Sequence, residues 1–219
     1  MSRMRLGCVI MASGEGKRFS AAGGGASQGA AAEGIGPGNK LLAPLAGMPL
    51  IARTVTSVPQ ETFDVAVSTR WPQVASVAAE CGARVVRPDG VLRSDSVRAG
   101  LSVPEAHAWN GCLFLPGDQP LVTWESFRAL ATAFSHDSRC AYRLAWNGTP
   151  GSPVLFPSSC FDALRRLEGK NGGSGVLRSG TVPVELIEAT RQEELWDVDV
   201  PADLVRIERF LVAQEVLRG

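Results

Sequence analysis

Net charge is what this chain most plainly lacks. Its 22 lysines and arginines are matched by 22 aspartates and glutamates, so no overall positive field exists to draw in nucleic acid or an anionic membrane surface. Histidine is scarce, with only His107 and His136, and neither has a triad partner nearby in sequence. The five cysteines, Cys8, Cys81, Cys112, Cys140 and Cys160, form no C-x-x-C pair. With so few histidines they cannot complete a zinc set, and they read as free buried thiols in a reducing cytosol. Long apolar runs are missing too. Leu6 to Ala12 is too brief for a signal-peptide core or a membrane span. These absences predict a cytoplasmic protein that works on a small molecule, with no membrane or nucleic-acid partner.

What is present is a chain of 219 residues, 45% hydrophobic, ample for one large core, and the expectation is a single domain over 1–219. Short apolar runs alternate with amphipathic stretches, the pattern of repeated βα units around a mostly parallel sheet. Leu6–Met11, Phe63–Ser68, Ala83–Arg87 and Cys112–Leu115 read as strands, and Val182–Ile187 as a later one. Cys140–Trp146 and Val154–Phe156 read as a hairpin across Asn147-Gly148-Thr149-Pro150-Gly151. A helix beginning after Pro49, then Trp71–Cys81, Ser94–Val103, Glu125–Phe134, Phe161–Leu167 and Pro201–Leu217 are the expected helices. Ser13–Gly38 reads as a long loop whose segment Ser20–Gly38, nearly all Gly, Ala and Ser, is expected to be a flexible insertion. Gly169–Gly175 is a second glycine-rich loop. The five tryptophans lie in different elements and read as packing residues.

Three constellations carry chemistry. Gly14-Glu15-Gly16-Lys17-Arg18 follows the first strand; its glycines let backbone N–H groups approach phosphate oxygens and its cations offset their charge. Taken alone, it reads equally as a solvated Gly-rich turn, and it has neither a Walker ending nor the G-x-G-x-x-G spacing. Asn39-Lys40-Leu41-Leu42 offers a lysine beside an apolar strand, able to swing over a triphosphate. Gly117-Asp118-Gln119-Pro120 sets a carboxylate at the end of the most apolar strand, where α/β sheets bind ligands. Its remote partner is Asp197-Val198-Asp199, where alternation along an extended strand points both aspartates to one face. Mg²⁺ takes hard oxygen ligands and retains waters, so Asp118 and Asp199 with substrate phosphates would complete a site. Asp203 falls in the first turn of the last helix, where its charge favours the dipole.

In their order, Ile10-Met11-Ala12-Ser13-Gly14-x-Gly16-x-Arg18, Asn39-Lys40-Leu41-Leu42, Gly117-Asp118-Gln119-Pro120 and Asp197-Val198-Asp199-x-Pro201-x-Asp203-Leu204 resemble the molybdenum cofactor nucleotidyltransferases, in particular their cytidylyltransferase branch. The resemblance runs over essentially the whole chain and implies a three-layer α/β/α fold with a mostly parallel, Rossmann-like sheet of the nucleotidyltransferase type. It implies that Ala12, Ser13, Gly14, Gly16, Arg18 and Gly117 line the nucleotide site, with Lys40 reaching the α-phosphate. Asp118 and Asp199 would hold Mg²⁺, and Arg18, Lys40 and Asp118 would be catalytic. Gly151-Ser152-Pro153 falls where the family meets its acceptor.

Arg93-Ser94-Asp95-Ser96-Val97-Arg98-Ala99-Gly100-Leu101 is similar to the base-contacting stretch of the methylerythritol phosphate cytidylyltransferase, which implies that Ser96 meets the base and that CTP is the nucleotide. The implied activity is transfer of CMP from CTP to molybdopterin carrying molybdenum, with pyrophosphate released and a molybdenum hydroxylase as the destination of the product. Two rivals stand beside it: guanylyl or other nucleotidyl transfer to a different phosphorylated acceptor, and a non-catalytic module that binds and delivers the molybdenum cofactor.

Overall fold

The computed structural model describes residues 4–22, 39–169 and 172–216. Residues 23–38, most of the expected insertion, and Lys170 and Asn171 lie outside them. In chain order the elements are β1 (Leu6–Met11), α1 (Lys17–Ala21), β2 (Pro44–Leu45), β3 (Met48–Pro49), α2 (Leu50–Ser57), β4 (Phe63–Ser68), α3 (Pro72–Glu80), β5 (Arg84–Val86), α4 (Arg93–Gly100), β6 (Gly111–Pro116), α5 (Trp124–His136), β7 (Ala141–Trp146), β8 (Thr149–Pro157), α6 (Phe161–Arg165), α7 (Ser174–Arg178), β9 (Val184–Glu188) and α8 (Pro201–Val216).

Seven strands form one sheet in the order β5-β4-β1-β6-β8-β7-β9. All its pairings are parallel except those of β8 with β6 and with β7. The period of two in side-chain direction sorts the strands onto two faces. Cys8 and Ile10 of β1, Leu113 and Leu115 of β6 and Val67 of β4 pack on one side with Leu50, Ile51 and Val55 of α2, Val74 of α3, Phe127 and Leu130 of α5 and Ile207 of α8. Val9, Cys112, Phe114 and Ala66 face the other side, against Val97 of α4, Phe161 and Leu164 of α6 and Val176 of α7. The result is the expected three-layer α/β/α arrangement. From β1 the chain winds outward through β4 to β5 and then returns to place β6 on the opposite side of β1. The carboxyl ends of β1 and β6 therefore flank the topological switch point, where open α/β sheets bind ligands.

Several local expectations are corrected. The loop after β1 contains α1, whose buried Phe19 gives it an apolar anchor. Lys40 sits in a single 3₁₀ turn, Lys40–Leu42, rather than beside a strand, and Asn39 caps that turn by accepting from the Leu41 amide at 3.0 Å. The helix expected over Ser94–Val103 ends at Gly100. Part of the second glycine-rich loop becomes α7, anchored by buried Val176. The hairpin turn is only Asn147-Gly148, both at positive φ, as two-residue hairpins require; β8 starts at once and is nine residues long. Residues 196–200 form no strand of the sheet, because a 3₁₀ turn over Gln192–Leu195 leads into them and Pro201 starts α8 directly afterwards. Trp124 is 47% exposed, its ring stacked by Arg128 at 4.3 Å rather than packed in the core. The cysteines are free, with Cys81 half-buried and the others buried.

Candidate active site

The first site loop is moored by its carbonyls. Thr69 Oγ1 donates to the Ala12 oxygen at 2.9 Å, Trp71 Nε1 to the Gly14 oxygen at 3.2 Å, and Ser13 Oγ reaches the Ser68 oxygen at 3.1 Å. The end of β4 thus holds Ala12, Ser13 and Gly14 over the carboxyl edge of β1. Gly16 turns the chain at a φ of 60°, and Lys40 Cγ lies 3.6 Å from where a Cβ on it would stand, so the turn and the lysine are neighbours although 24 positions apart. Lys17 and Arg70 bracket Glu15 at 2.7 and 3.3 Å and hold its carboxyl below the usual range.

The second loop leaves β6 at Gly117, whose N–H donates to the Met11 oxygen at 3.0 Å and whose oxygen accepts from Thr54 Oγ1 at 2.9 Å. Asp118 follows, with a side chain only 21% exposed. Lys40 Nζ lies 2.5 Å from Asp118 Oδ2, 2.6 Å from the Val198 oxygen and 3.8 Å from Asp199 Oδ1. Arg18 lies 2.5 Å from Asp199 Oδ2. The Val198 amide donates to the Asp118 oxygen at 3.0 Å while its side chain is fully buried. This contact brings the Asp197-Val198-Asp199 segment against Gly117-Asp118. Loss of water around the carboxyl, with the charges of Asp118 and Asp199, pushes the Asp197 carboxyl above its usual range. Asp203 accepts from the Asp199 and Val200 amides at 2.9 Å each, the return contact of an acidic residue in a first helical turn.

Sequence-distant carboxylates and cations therefore meet at one point. Carboxylates gathered this closely are the hard oxygen donors that a divalent cation takes. Among the described residues no group of three or more His, Cys, Asp or Glu is placed to hold a metal ion, so a cation bound here would need further ligands from phosphate and water.

Ser96 is 3% exposed in the first turn of α4, where Asp95 accepts from the Leu92 amide at 2.8 Å. The hydroxyls of Ser94, in the same turn, and of Ser68, at the end of β4, are buried and make no hydrogen bond. On the other flank, β7 and β8 slip register between Arg143 and Ala145: Val154 pairs with Arg143 and Pro150 with Ala145, so Gly151-Ser152-Pro153 bulges out. Because Phe114 pairs with Val154, the bulge lies beside the end of β6, next to the Gly117-Asp118 loop. Bulges of this kind commonly re-aim a strand at an active site. Sequence reasoning missed Thr54, Thr69 and Trp71, whose side chains moor the loops. Their only signal was position, at a helix interior and after a strand.

A doubly wound sheet with a glycine turn, a lysine and convergent aspartates at its switch point is the architecture of a nucleotidyltransferase. The chain belongs to the MobA-like NTP transferase family, whose domain model matches residues 8–186. It is similar to a nucleotidyl transferase from Methanothermobacter thermautotroptrophicus, 26% identical, with 96% of this chain and 99% of that one covered and a TM-score of 0.77. A Mycobacterium tuberculosis H37Rv protein solved in complex with manganese shares the fold at 22% identity, with 94% and 99% covered and a TM-score of 0.65. The purine catabolism protein PucB of Bacillus subtilis (strain 168) is 30% identical over 117 residues, a match that spans 53% of this chain and about half, 56%, of that protein. The chain is thus a nucleotidyltransferase acting on a nucleoside triphosphate. No described helix is long and apolar enough to cross a membrane.

Proposed function

We propose that the protein transfers CMP from CTP to the phosphate of molybdopterin carrying molybdenum, with Mg²⁺, releasing pyrophosphate. The observation that carries the reading is the meeting of Lys40, Asp118 and Asp199 at the switch point, alongside the motif order that resembles the molybdenum cofactor cytidylyltransferases. An acceptor phosphate oxygen attacks the α-phosphorus in line, a P–O bond forms, and the bond to the β-phosphate breaks with its electron pair leaving on pyrophosphate. Asp118 and Asp199 would hold Mg²⁺, which when bound neutralises charge on the phosphate oxygens. Arg18 and the Gly14–Gly16 turn hold the triphosphate. Lys40 contributes its charge at the α-phosphate, where negative charge builds in the transition state. No covalent enzyme intermediate is needed.

Ala12, Ser13, Gly117 and Ser96 line the base side. The likeness of residues 93–101 to a CTP-binding stretch favours cytosine. Gly151, Ser152 and Pro153 border the acceptor side. The test is isothermal titration with CTP, GTP, ATP and UTP, each with and without Mg²⁺. Tight Mg²⁺-dependent CTP binding is expected. A GTP preference would replace cytidylyl by guanylyl transfer, and failure to bind any nucleotide would favour a delivery module.

A further inference from the structure

Behind Asp118 lies a buried polar network with no role in the chemistry above. Gln119 is 2% exposed, and its Nε2 donates both to the Ser152 oxygen at 2.8 Å and to the Glu194 oxygen at 2.7 Å. One amide therefore joins the loop that bears Asp118, the bulge of β8, and the 3₁₀ turn that leads into Asp197-Val198-Asp199. Glu194 is fully buried. Its Oε2 accepts from Thr123 N at 2.9 Å and Thr123 Oγ1 at 3.1 Å, and its Oε1 from Thr190 N at 2.9 Å and Thr190 Oγ1 at 2.6 Å.

A carboxylate taken out of water is costly unless its lone pairs are filled. Here four neutral donors fill them, and Thr123, the N-cap of α5, sets the charge at the positive end of that helix dipole. So demanding a set of partners allows the Gln192–Leu195 turn little freedom. Gln119 carries that fixity to its chain neighbour Asp118, and the Val198 to Asp118 backbone bond closes the frame on the other side.

We propose that Gln119 and Glu194 are positioning residues that set the separation of Asp118 from Asp199 and so tune the metal site. The proposal rests on the reading that these two aspartates share a divalent ion. Outer-layer hydrogen-bond partners of this kind typically change metal affinity by about ten- to a hundredfold when removed.

The test uses Gln119→Met, close in size and without a donor, and Glu194→Gln, the isosteric neutral form, each first shown by thermal denaturation to be folded. CTP is titrated at a series of Mg²⁺ concentrations, and exchange of the Val198 amide is followed by hydrogen–deuterium exchange. In both variants CTP binding without metal should stay near wild type, the Mg²⁺ needed for half-maximal enhancement should rise about tenfold or more, and Val198 should lose protection. Wild-type Mg²⁺ dependence together with retained Val198 protection in folded variants would overturn the proposal. If the wild type itself shows no Mg²⁺ effect, the metal reading fails instead, and the exchange of Val198 alone decides whether the network positions the segment.

Discussion

The Lys40 ammonium lies 2.5 Å from Asp118 Oδ2, an ion pair whose side chains are only 11% and 21% exposed. With so little water between them the pair is screened far less than a surface bridge. Lys40 therefore competes with any divalent cation for the same carboxylate. Replacing it with methionine keeps the length of the side chain and removes the charge. Lys40→Met should bind Mn²⁺ alone more tightly than the wild type, on the order of tenfold or about 1.4 kcal/mol, while pyrophosphate release falls by two or more orders of magnitude. Electron paramagnetic resonance titration of free Mn²⁺ reads the first effect. Weaker Mn²⁺ binding in the variant would show that the lysine organises the carboxylates instead of competing for them.

Asp118→Asn separates chemistry from folding. The residue sits in a loop at a strand end, where function concentrates and core packing does not. The amide keeps the shape and can still accept from Lys40, which also retains the Val198 oxygen at 2.6 Å. Turnover should drop below about one per cent of wild type, as expected when a metal-binding charge is lost, with a urea midpoint shifted by no more than about 1 kcal/mol equivalent. Wild-type turnover would remove Asp118 from the metal site.

The thiols should respond in an order set by burial. Cys8 and Cys112 on neighbouring strands are fully buried, and burial pushes both thiols well above the usual range. The thiolate is the reacting form. At pH 8 a disulfide reagent should therefore label Cys81, the half-buried one, well before the other two, which react only as fast as the protein opens. Peptide mapping of the labelled protein against time checks the order; early modification of Cys8 would contradict the packing of β1.

Much of the fold could be read from local pattern. Leu6–Met11 and Phe63–Ser68 match β1 and β4 residue for residue, because each is a short run of strand-forming residues ended by polar residues. The two-residue β2 and β3 were invisible, since elements so short carry no period. The aspartates at 197 and 199 were found through alternation, yet the backbone there is not a strand; a single bond from Val198 to Asp118 does the pairing that the pattern suggested a sheet would do. Gln119 stood inside a quoted motif without a role. Its two acceptors are 33 and 75 residues away, and no local signal announces a buried amide that bridges such distances. The bulge was equally hidden, because the hairpin turn was expected over Asn147-Gly148-Thr149-Pro150-Gly151 and Gly151-Ser152-Pro153 stood out only through the family resemblance.

That bulge is also where the packing makes its sharpest demand. A Cβ on Gly151 would fall 1.7 Å from Leu195 Cδ2 and 3.2 Å from Leu195 Cγ, so an added methyl there requires the Leu195 side chain to turn aside. Leu195 is the residue after Glu194, and its displacement would press on the turn that Gln119 holds. Gly151→Ala should cost about 1 to 3 kcal/mol, the usual range for overpacking. The far end of a leucine can rotate, but Leu195 Cγ, at 3.2 Å, must also give way. Shortening the obstacle is the control. In a Leu195→Ala background the Gly151→Ala change should cost little, giving a coupling energy of about 1 kcal/mol or more between the two positions in a double-mutant cycle by urea unfolding. Additive costs would mean that the bulge relaxes elsewhere and that the contact with Leu195 does not set its shape.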